Sequence, residues 1–555
     1  MATAALDVDF GWFLSGLKSK SFFSMNSSMG TRQTLKDDYL AFYWTPEEGA
    51  GLPSTEHKGA KASAKSMSAT ATYTGISFYE HLSYEWEKYG HNLAANATFF
   101  ISKNATTSNN QFEKQLYTIG NIKYNYKNRY FLDAVTQYAG SVRLKGKNRF
   151  DYFPAVGISW VPTNEKFMSG ARKVLNNLKI YGQVGNIGAA DIYGTPYLYQ
   201  AEYAMSSGMY FGPQSAFQWF GSAQNKDANV YQTTIKRLAN PDIEWAKIYQ
   251  VDLGVEMRLL NCLELGVQLY KTRRYDIITD VTLYIPKLYG FNNVVVYDNH
   301  NARLTEGIDL SLAYDRKFGD FGIRVSGFTS TNSTTYSRLL DDSYYNVGLP
   351  VDIYRGLICI GKFTTEEQLT TLPKYSSSVQ IGDLMYEDIN NDKTIDRNDY
   401  RVIGHLNPRL RYAVNLNLSW KSLSVSMSGT GAAIVDLPLT SNYFWSGWGD
   451  GNYSRFVMDN IGGAYPSLSY QKNTNTFVPS TFWLVDGSYF KLRDVTIEYN
   501  CNINKSGIQN IKFSLRGSNL FTLTGVKYVD PENIDAGVGT YPMMRTVTLG
   551  VKMNF

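Results

Sequence analysis

Cysteine is scarce in this chain. The three present among 555 residues, Cys262, Cys359 and Cys501, are far apart and odd in number. They provide neither a disulfide framework nor the clustered ligands of a structural zinc site. Proline is also sparse at 16, and no composition shift marks a linker between domains. No run of 18 apolar residues occurs, which excludes a membrane-spanning helix but not a barrel strand, whose signal is a weaker alternation. The first residues, MATAALDVDFGWF, lack a basic segment followed by an apolar one, so no signal peptide is read there. The five histidines, His57, His81, His91, His300 and His405, are scattered, and no nucleophile motif such as G-x-S-x-G accompanies them. The chain is therefore expected not to be an enzyme. A net charge of +5, from 54 basic and 49 acidic residues, leaves no footprint for nucleic acid.

Aromatic residues are abundant, at 15% of the chain, with 42 tyrosines against 29 phenylalanines. Tyrosine suits places where an apolar body meets water, such as a membrane interface or a wet lumen. The last residues, RTVTLGVKMNF, place Val547, Leu549, Val551, Met553 and Phe555 on alternate positions, with small or polar residues between them. Successive strand side chains point to opposite faces, so one face is apolar and the other polar. The same alternation recurs throughout, as in Val251–Leu259 into Leu263–Leu269, and in Val414–Trp420 into Leu423–Met427. A phase slip at Arg493–Asp494 reads as a β-bulge. The count is 17 strands, with no helix longer than a turn or two.

The connections alternate in length. Short turns fall near residues 17, 89, 128, 168, 260, 318, 421 and 505. Long segments cover about 28–70, 104–113, 140–151, 187–244, 276–300, 332–407, 435–484 and 522–543. This is the layout of an outer-membrane barrel, with periplasmic turns on one side and extracellular loops on the other. The fold class is all-β: a transmembrane, antiparallel, up-and-down β-barrel. The first strand, read as residues 6–16, would run inward, as would the last. An odd count with an outside start cannot close as an even-stranded barrel. Residues 1–555 are therefore expected to be the C-terminal part of a larger barrel.

Several segments resemble one family, the SusC/RagA-type TonB-dependent outer-membrane transporters of Bacteroidetes. They are Tyr152–Trp160 (YFPAVGISW) followed by Glu165-Lys166-Phe167-Met168, Leu178–Asn186 (LKIYGQVGN), and Asn240–Trp245 (NPDIEW), where Ala246 stands in place of the usual Glu. Gly487–Tyr499 (GSYFKLRDVTIEY), Ser518–Thr524 (SNLFTLT) and Asp530-Pro531-Glu532 complete the set. The resemblance implies a 22-stranded barrel plugged by an N-terminal domain and embedded in outer-membrane lipid. It also implies import of glycan oligosaccharides or peptides, powered by the TonB complex through an N-terminal region and capped by a SusD-like surface lipoprotein. A signal peptide, TonB box and plug domain are not read in this chain. A surface interaction protein and a passive, plug-less pore are the competing expectations.

Two features are candidate sites. In DINNDKTIDRND, Asp388, Asn390, Asp392, Thr394, Asp396 and Asp399 place oxygen at positions 1, 3, 5, 7, 9 and 12, the spacing by which an EF-hand-like loop wraps Ca²⁺. Lys393 sits where that turn prefers glycine, and Asp399 replaces the bidentate glutamate. The alternative is an acidic turn held by Asx hydrogen bonds. The second feature is the aromatic density of the long loops, with Tyr197, Tyr199, Trp219, Tyr443, Phe444, Trp445 and Trp448 as candidate contacts for ligand or partner. Loop-on-loop packing would use the same residues.

Overall fold

The computed structural model describes residues 1–34, 41–42, 56–57, 66–106, 109–189, 197–207, 231–282, 294–340, 346–441, 443–445, 454–460, 463, 465–466, 475–505, 508–534 and 540–554. Seventeen strands form one antiparallel sheet, the number expected from the alternation. They are β1 (Ala2–Asp9), β2 (Leu17–Thr34), β3 (Ser66–Lys88), β4 (His91–Thr106), β5 (Asn109–Tyr126), β6 (Tyr130–Ser141), β7 (Phe150–Trp160), β8 (Leu175–Ala189) and β9 (Ala246–Leu259). The series continues with β10 (Leu263–Asp280), β11 (Tyr297–Phe318), β12 (Phe321–Arg338), β13 (Leu410–Trp420), β14 (Leu423–Ala433), β15 (Tyr489–Lys505), β16 (Ile508–Thr524) and β17 (Thr546–Asn554). Each pairs with its neighbours in the chain. Among the described residues β1 pairs only with β2, and β17 only with β16.

Register carries the apolar residues into a continuous outer band. Leu253 lies opposite Leu269 and Leu269 opposite Ile308; Val255 faces Val267, which faces Leu310. Leu253, Val267, Leu269, Ile308 and Leu310 are all exposed. A patch this long is a liability in water but is the required outer surface in lipid. The positions between them, including Asp252, Gly254, Glu256, Gln268 and Asp309, form the inner face. This is the wall of a transmembrane β-barrel.

The short turns follow from backbone chemistry. Tyr89 and Gly90 both have positive φ, 54° and 81°, and join β3 to β4 as a two-residue turn whose twist matches the strands. Lys127–Asn128 and Leu260–Asn261 also adopt left-handed backbone at the next hairpins. The Asn125 side chain accepts from the Asn128 N–H at 2.8 Å. The expected bulge is at Arg493, since Ser428 pairs with Asp494 and Gly429 with Leu492.

Two boundaries differ from expectation. The strand read as 6–16 ends at Asp9; Phe10, Trp12 and Leu14 belong to the turn. The Asp9 side chain accepts from the Gly11 N–H at 2.8 Å, and Phe10 O accepts from Phe13 N and Leu14 N. Alternating aromatics there sit at the rim, not in a strand. The loop read as 28–70 is shorter, because β2 runs to Thr34 and β3 starts at Ser66. Beyond the membrane both faces of a strand are wet, so these extensions carry no apolar alternation.

The extracellular loops build structure of their own. Leu357, Leu384, Tyr386, Ile395 and Val478 form one buried cluster, and Leu439, Phe444, Val457, Tyr465, Phe477 and Trp483 another. The two α-helices described, Glu366–Thr371 and Arg455–Asn460, have six residues each.

Candidate functional site

The inner face of β3–β10 lines a recess of about 1100 Å³, with Glu85, Lys123, Asp133, Lys179, Tyr181 and Glu256 on its wall. Its cations are answered by carboxylates across neighbouring strands: Lys123 to Asp133 at 3.8 Å and Lys179 to Glu256 at 3.4 Å. Asp252, 1% exposed, accepts from the Gln183 amide at 2.6 Å and the Gln250 amide at 2.8 Å. Tyr181 lies flat over Gly254. A Cβ at that glycine would sit 2.2 Å from the ring, so the glycine keeps the wall smooth.

Toward the extracellular end is a second cleft of about 420 Å³, lined by Glu113, Gln115, Tyr117, Gln137, Arg143 and Trp245. Arg143 pairs with Glu113, and Phe153 packs edge-on against Trp245 with ring centroids 5.4 Å apart. This arrangement offers amides, one ion pair and aromatic walls to a polar, extended solute. Sequence reasoning missed it, because its residues come from separate strands and share no spacing.

The candidate loop aromatics divide. Tyr197 and Tyr199 meet edge-on at 5.9 Å on either side of Leu198, which is buried in the cluster that holds Phe153 and Trp245. Phe153 and Trp245 of that cluster also line the upper cleft. Phe444 is 1% exposed, and Tyr443 and Trp445 pack against its cluster, with Trp445 5.7 Å from Phe477. These three serve loop-on-loop packing. Trp219 and Trp448 lie outside the described residues.

Most oxygens of the 388–399 loop accept from its own main chain, while Asp388 Oδ1 is buried without a hydrogen-bond partner among the described residues. Asp388 accepts from the Lys393 N–H at 2.8 Å, Asn390 from Asp392 at 3.1 Å, Asp392 from Thr394 at 2.8 Å, and Asp396 from Asn398 at 2.7 Å. Asp399, fully buried, accepts from both Ile389 and Asp396 at 2.9 Å. Lys393 adopts φ 69°, the left-handed backbone that glycine would hold. Among the described residues no three acidic, histidine or cysteine side chains converge where a metal could sit. The residues as arranged form a run of Asx turns, the alternative weighed against calcium in the sequence. Asp399→Ala is expected to leave two main-chain donors unsatisfied and loosen the loop by about 1–3 kcal/mol, read by hydrogen exchange over 388–400. Calcium should leave the melting temperature of the unsubstituted protein unchanged. A calcium-dependent rise abolished by Asp388→Ala would restore the ion.

A charge cluster joins two segments noted in the sequence for their resemblance alone. The Lys491 ammonium, on a residue 2% exposed, donates to Asp530 at 2.6 Å and Glu532 at 2.7 Å. Arg493 also pairs with Glu532, and the Tyr489 hydroxyl donates to it at 2.6 Å. Burial disfavours the charged form of Glu532, but hydrogen bonds from Arg493, Lys491 and Tyr489 outweigh it and hold the carboxyl at about 2. Other resembling segments also meet. Tyr152–Trp160 pairs with Leu178–Asn186, and Trp245 of NPDIEW packs on Phe153.

No family model matches the chain. It is 26% identical to TonB-dependent receptor P26 of Formosa agariphila, over 79% of this chain and 46% of that protein. It is 22% identical to TonB-dependent receptor SusC of Bacteroides thetaiotaomicron, over 79% of this chain and 43% of that one. The chain thus spans about half the length of the curated relatives it matches. The solved RagAB peptide transporter superposes with a TM-score of 0.71 at 17% identity, covering all of this chain and 62% of that one. With the 17-strand wall and the resembling segments in register, the chain is similar to TonB-dependent receptors of the SusC/RagA type and shares the barrel fold of the outer-membrane RagAB transporter.

Proposed function

We propose that this chain forms the greater part of a barrel wall through which a bulky nutrient, a glycan oligosaccharide or a peptide, is imported. The observation that carries this reading is the inner face. It is mostly small or polar at alternate positions over eight consecutive strands, and its recess of about 1100 Å³ exceeds what a single sugar or amino acid needs. The similarity to SusC and to a peptide transporter supports the same reading without choosing the solute. In the working receptor the unpaired edges of β1 and β17 would be closed by further strands, since an open edge in lipid leaves main-chain groups unsatisfied. TonB would drive opening, and a SusD-like lipoprotein would cap the loops.

The test is growth of a strain lacking the gene, supplied with oligosaccharides or with peptides as the limiting nutrient. Loss of growth on one class, restored by the full gene, names the solute class. Undiminished growth on both overturns the import reading. Steady channel conductance in planar bilayers from the purified full-length receptor would favour a passive pore instead.

A further inference from the structure

Many cations of this wall are paired with carboxylates, including Lys179, which also lies 5.0 Å from the Tyr181 ring, and Arg129 with Glu165 at the periplasmic turns. On the inner face they are paired with carboxylates: Lys123 with Asp133, Lys179 with Glu256, Lys512 with Glu498, and Arg516 with Asp494. At the periplasmic rim four cations sit on aromatic rings. Lys88 lies 5.0 Å from the centre of the Tyr89 ring, Lys127 5.1 Å from Tyr126, Arg316 5.2 Å from Phe318 and Lys421 5.6 Å from Trp420. All four cations are exposed. Among the described residues Lys88, Lys127 and Arg316 have no carboxylate partner, and Lys421 has only Asp320 at 4.0 Å.

The rings continue the outer band downward. Tyr126, Phe318 and Trp420 have the same parity as the lipid-facing Ile122, Leu312 and Leu418, and Tyr89 caps the adjoining turn. Aromatic side chains with this placement settle at headgroup depth. A cation held against such a ring is therefore set at the level of lipid phosphate, and Lys88, Lys127 and Arg316 have no carboxylate partner among the described residues. The 127 turn touches the 89 turn, through the Lys127 N–H donating to Gly90 O at 2.7 Å, so Lys88 and Lys127 lie on adjoining hairpins.

We propose that the periplasmic rim binds anionic phospholipid, with the phosphates of inner-leaflet headgroups seated on the ring-mounted cations of the 88–89, 126–127, 316–318 and 420–421 turns. The ring orients the cation and the phosphate supplies the missing counter-charge, at an interface continuous with the lipid-facing band. This goes beyond the import reading and does not depend on the solute.

The test compares the full-length receptor in phosphatidylcholine nanodiscs with and without phosphatidylglycerol. Phosphatidylglycerol is expected to raise the melting temperature of the unsubstituted protein. The Lys88→Gln, Lys127→Gln, Arg316→Gln and Lys421→Gln combination should lose more than half of that rise, and should retain fewer phosphatidylglycerol molecules in native mass spectrometry. Lys88→Arg and Lys421→Arg should keep both signals. If the combined variant does not fold, as judged by heat-modifiable migration, Lys88→Gln and Lys421→Gln are measured singly in the same two lipids. No rise in the unsubstituted protein, or a full rise in the neutralised ones, overturns the proposal.

Discussion

Lys491→Ala is expected to detach the loop that precedes the last strand while leaving the barrel folded. The ammonium is nearly inaccessible, so removing it leaves Asp530 and Glu532 partly buried with one cation, Arg493, paired to Glu532. Breaking one side of a buried charge pair costs about 3–5 kcal/mol when the rest cannot move. Here the rest can move: residues 526–534 form a loop, and its release caps the loss at the local opening free energy. The substitution should therefore raise hydrogen exchange over 526–534 by one to several orders of magnitude with little change in the strands. Lys491→Met, which keeps the stem, should behave as alanine does if charge matters and as the unsubstituted protein if packing does. Unchanged exchange in both would remove the latch.

The same latch sets an acid limit. Glu532 is held at about 2, below the unfolded carboxylate value of about 4.3. A carboxyl with a lowered folded value stabilises the folded state fully above the unfolded value. That contribution is lost as pH falls from about 4.3 toward 2. Exchange over 526–534 should rise across that window, and Glu532→Gln should flatten the dependence.

How much of this could be read from the chain depends on where each residue sits relative to the bilayer. Inside the membrane, Leu253, Leu269 and Ile308 must face lipid, and Asp252 and Gln268 must not, so alternation reports both strand and face. The bulge at Arg493 was visible because one extra residue inverts that parity. Above the membrane the constraint disappears. Residues 28–34 and 66–70 belong to paired strands with no apolar period, and read as loop. The loop aromatics carried two readings for the opposite reason. Phe444 and Trp445 looked available because no period assigned them to a core, yet a core is where they are. The 388–399 oxygens left two readings open, because Asx turns and calcium loops draw on the same side chains at the same two-residue spacing.

Trp483→Ala is expected to melt the extracellular roof as a unit separate from the barrel. Trp483 is 1% exposed and meets Phe482 at 4.8 Å, Tyr465 and Phe477 at 5.8 Å and Trp445 at 6.1 Å between ring centres. Its indole N–H donates to Thr476 O at 2.8 Å, and its carbonyl accepts from Leu439 N at 2.7 Å. One side chain therefore joins the 435–445 segment to the 475–484 segment. The adjoining cluster of Leu357, Leu384 and Tyr386 is tied to the same segment through Val478 and the Cys359 N–H bond to Thr481. Removing a buried tryptophan costs about 3–5 kcal/mol, with the vacated volume contributing because the surrounding rings cannot all collapse into it. A roof with two small clusters lacks the reserve to absorb that loss, whereas the strands are held by their own ladder and by lipid. Two transitions should therefore appear where the unsubstituted protein shows one or a smaller separation. Near-ultraviolet dichroism and exchange over 353–487 should be lost at the lower temperature, and heat-modifiable migration should be lost at the higher. Trp483→Phe, which retains most of the ring contact but not the N–H bond, should fall between. A single transition shifted as a whole would show instead that roof and wall fold cooperatively, with the loops supporting the barrel they cover.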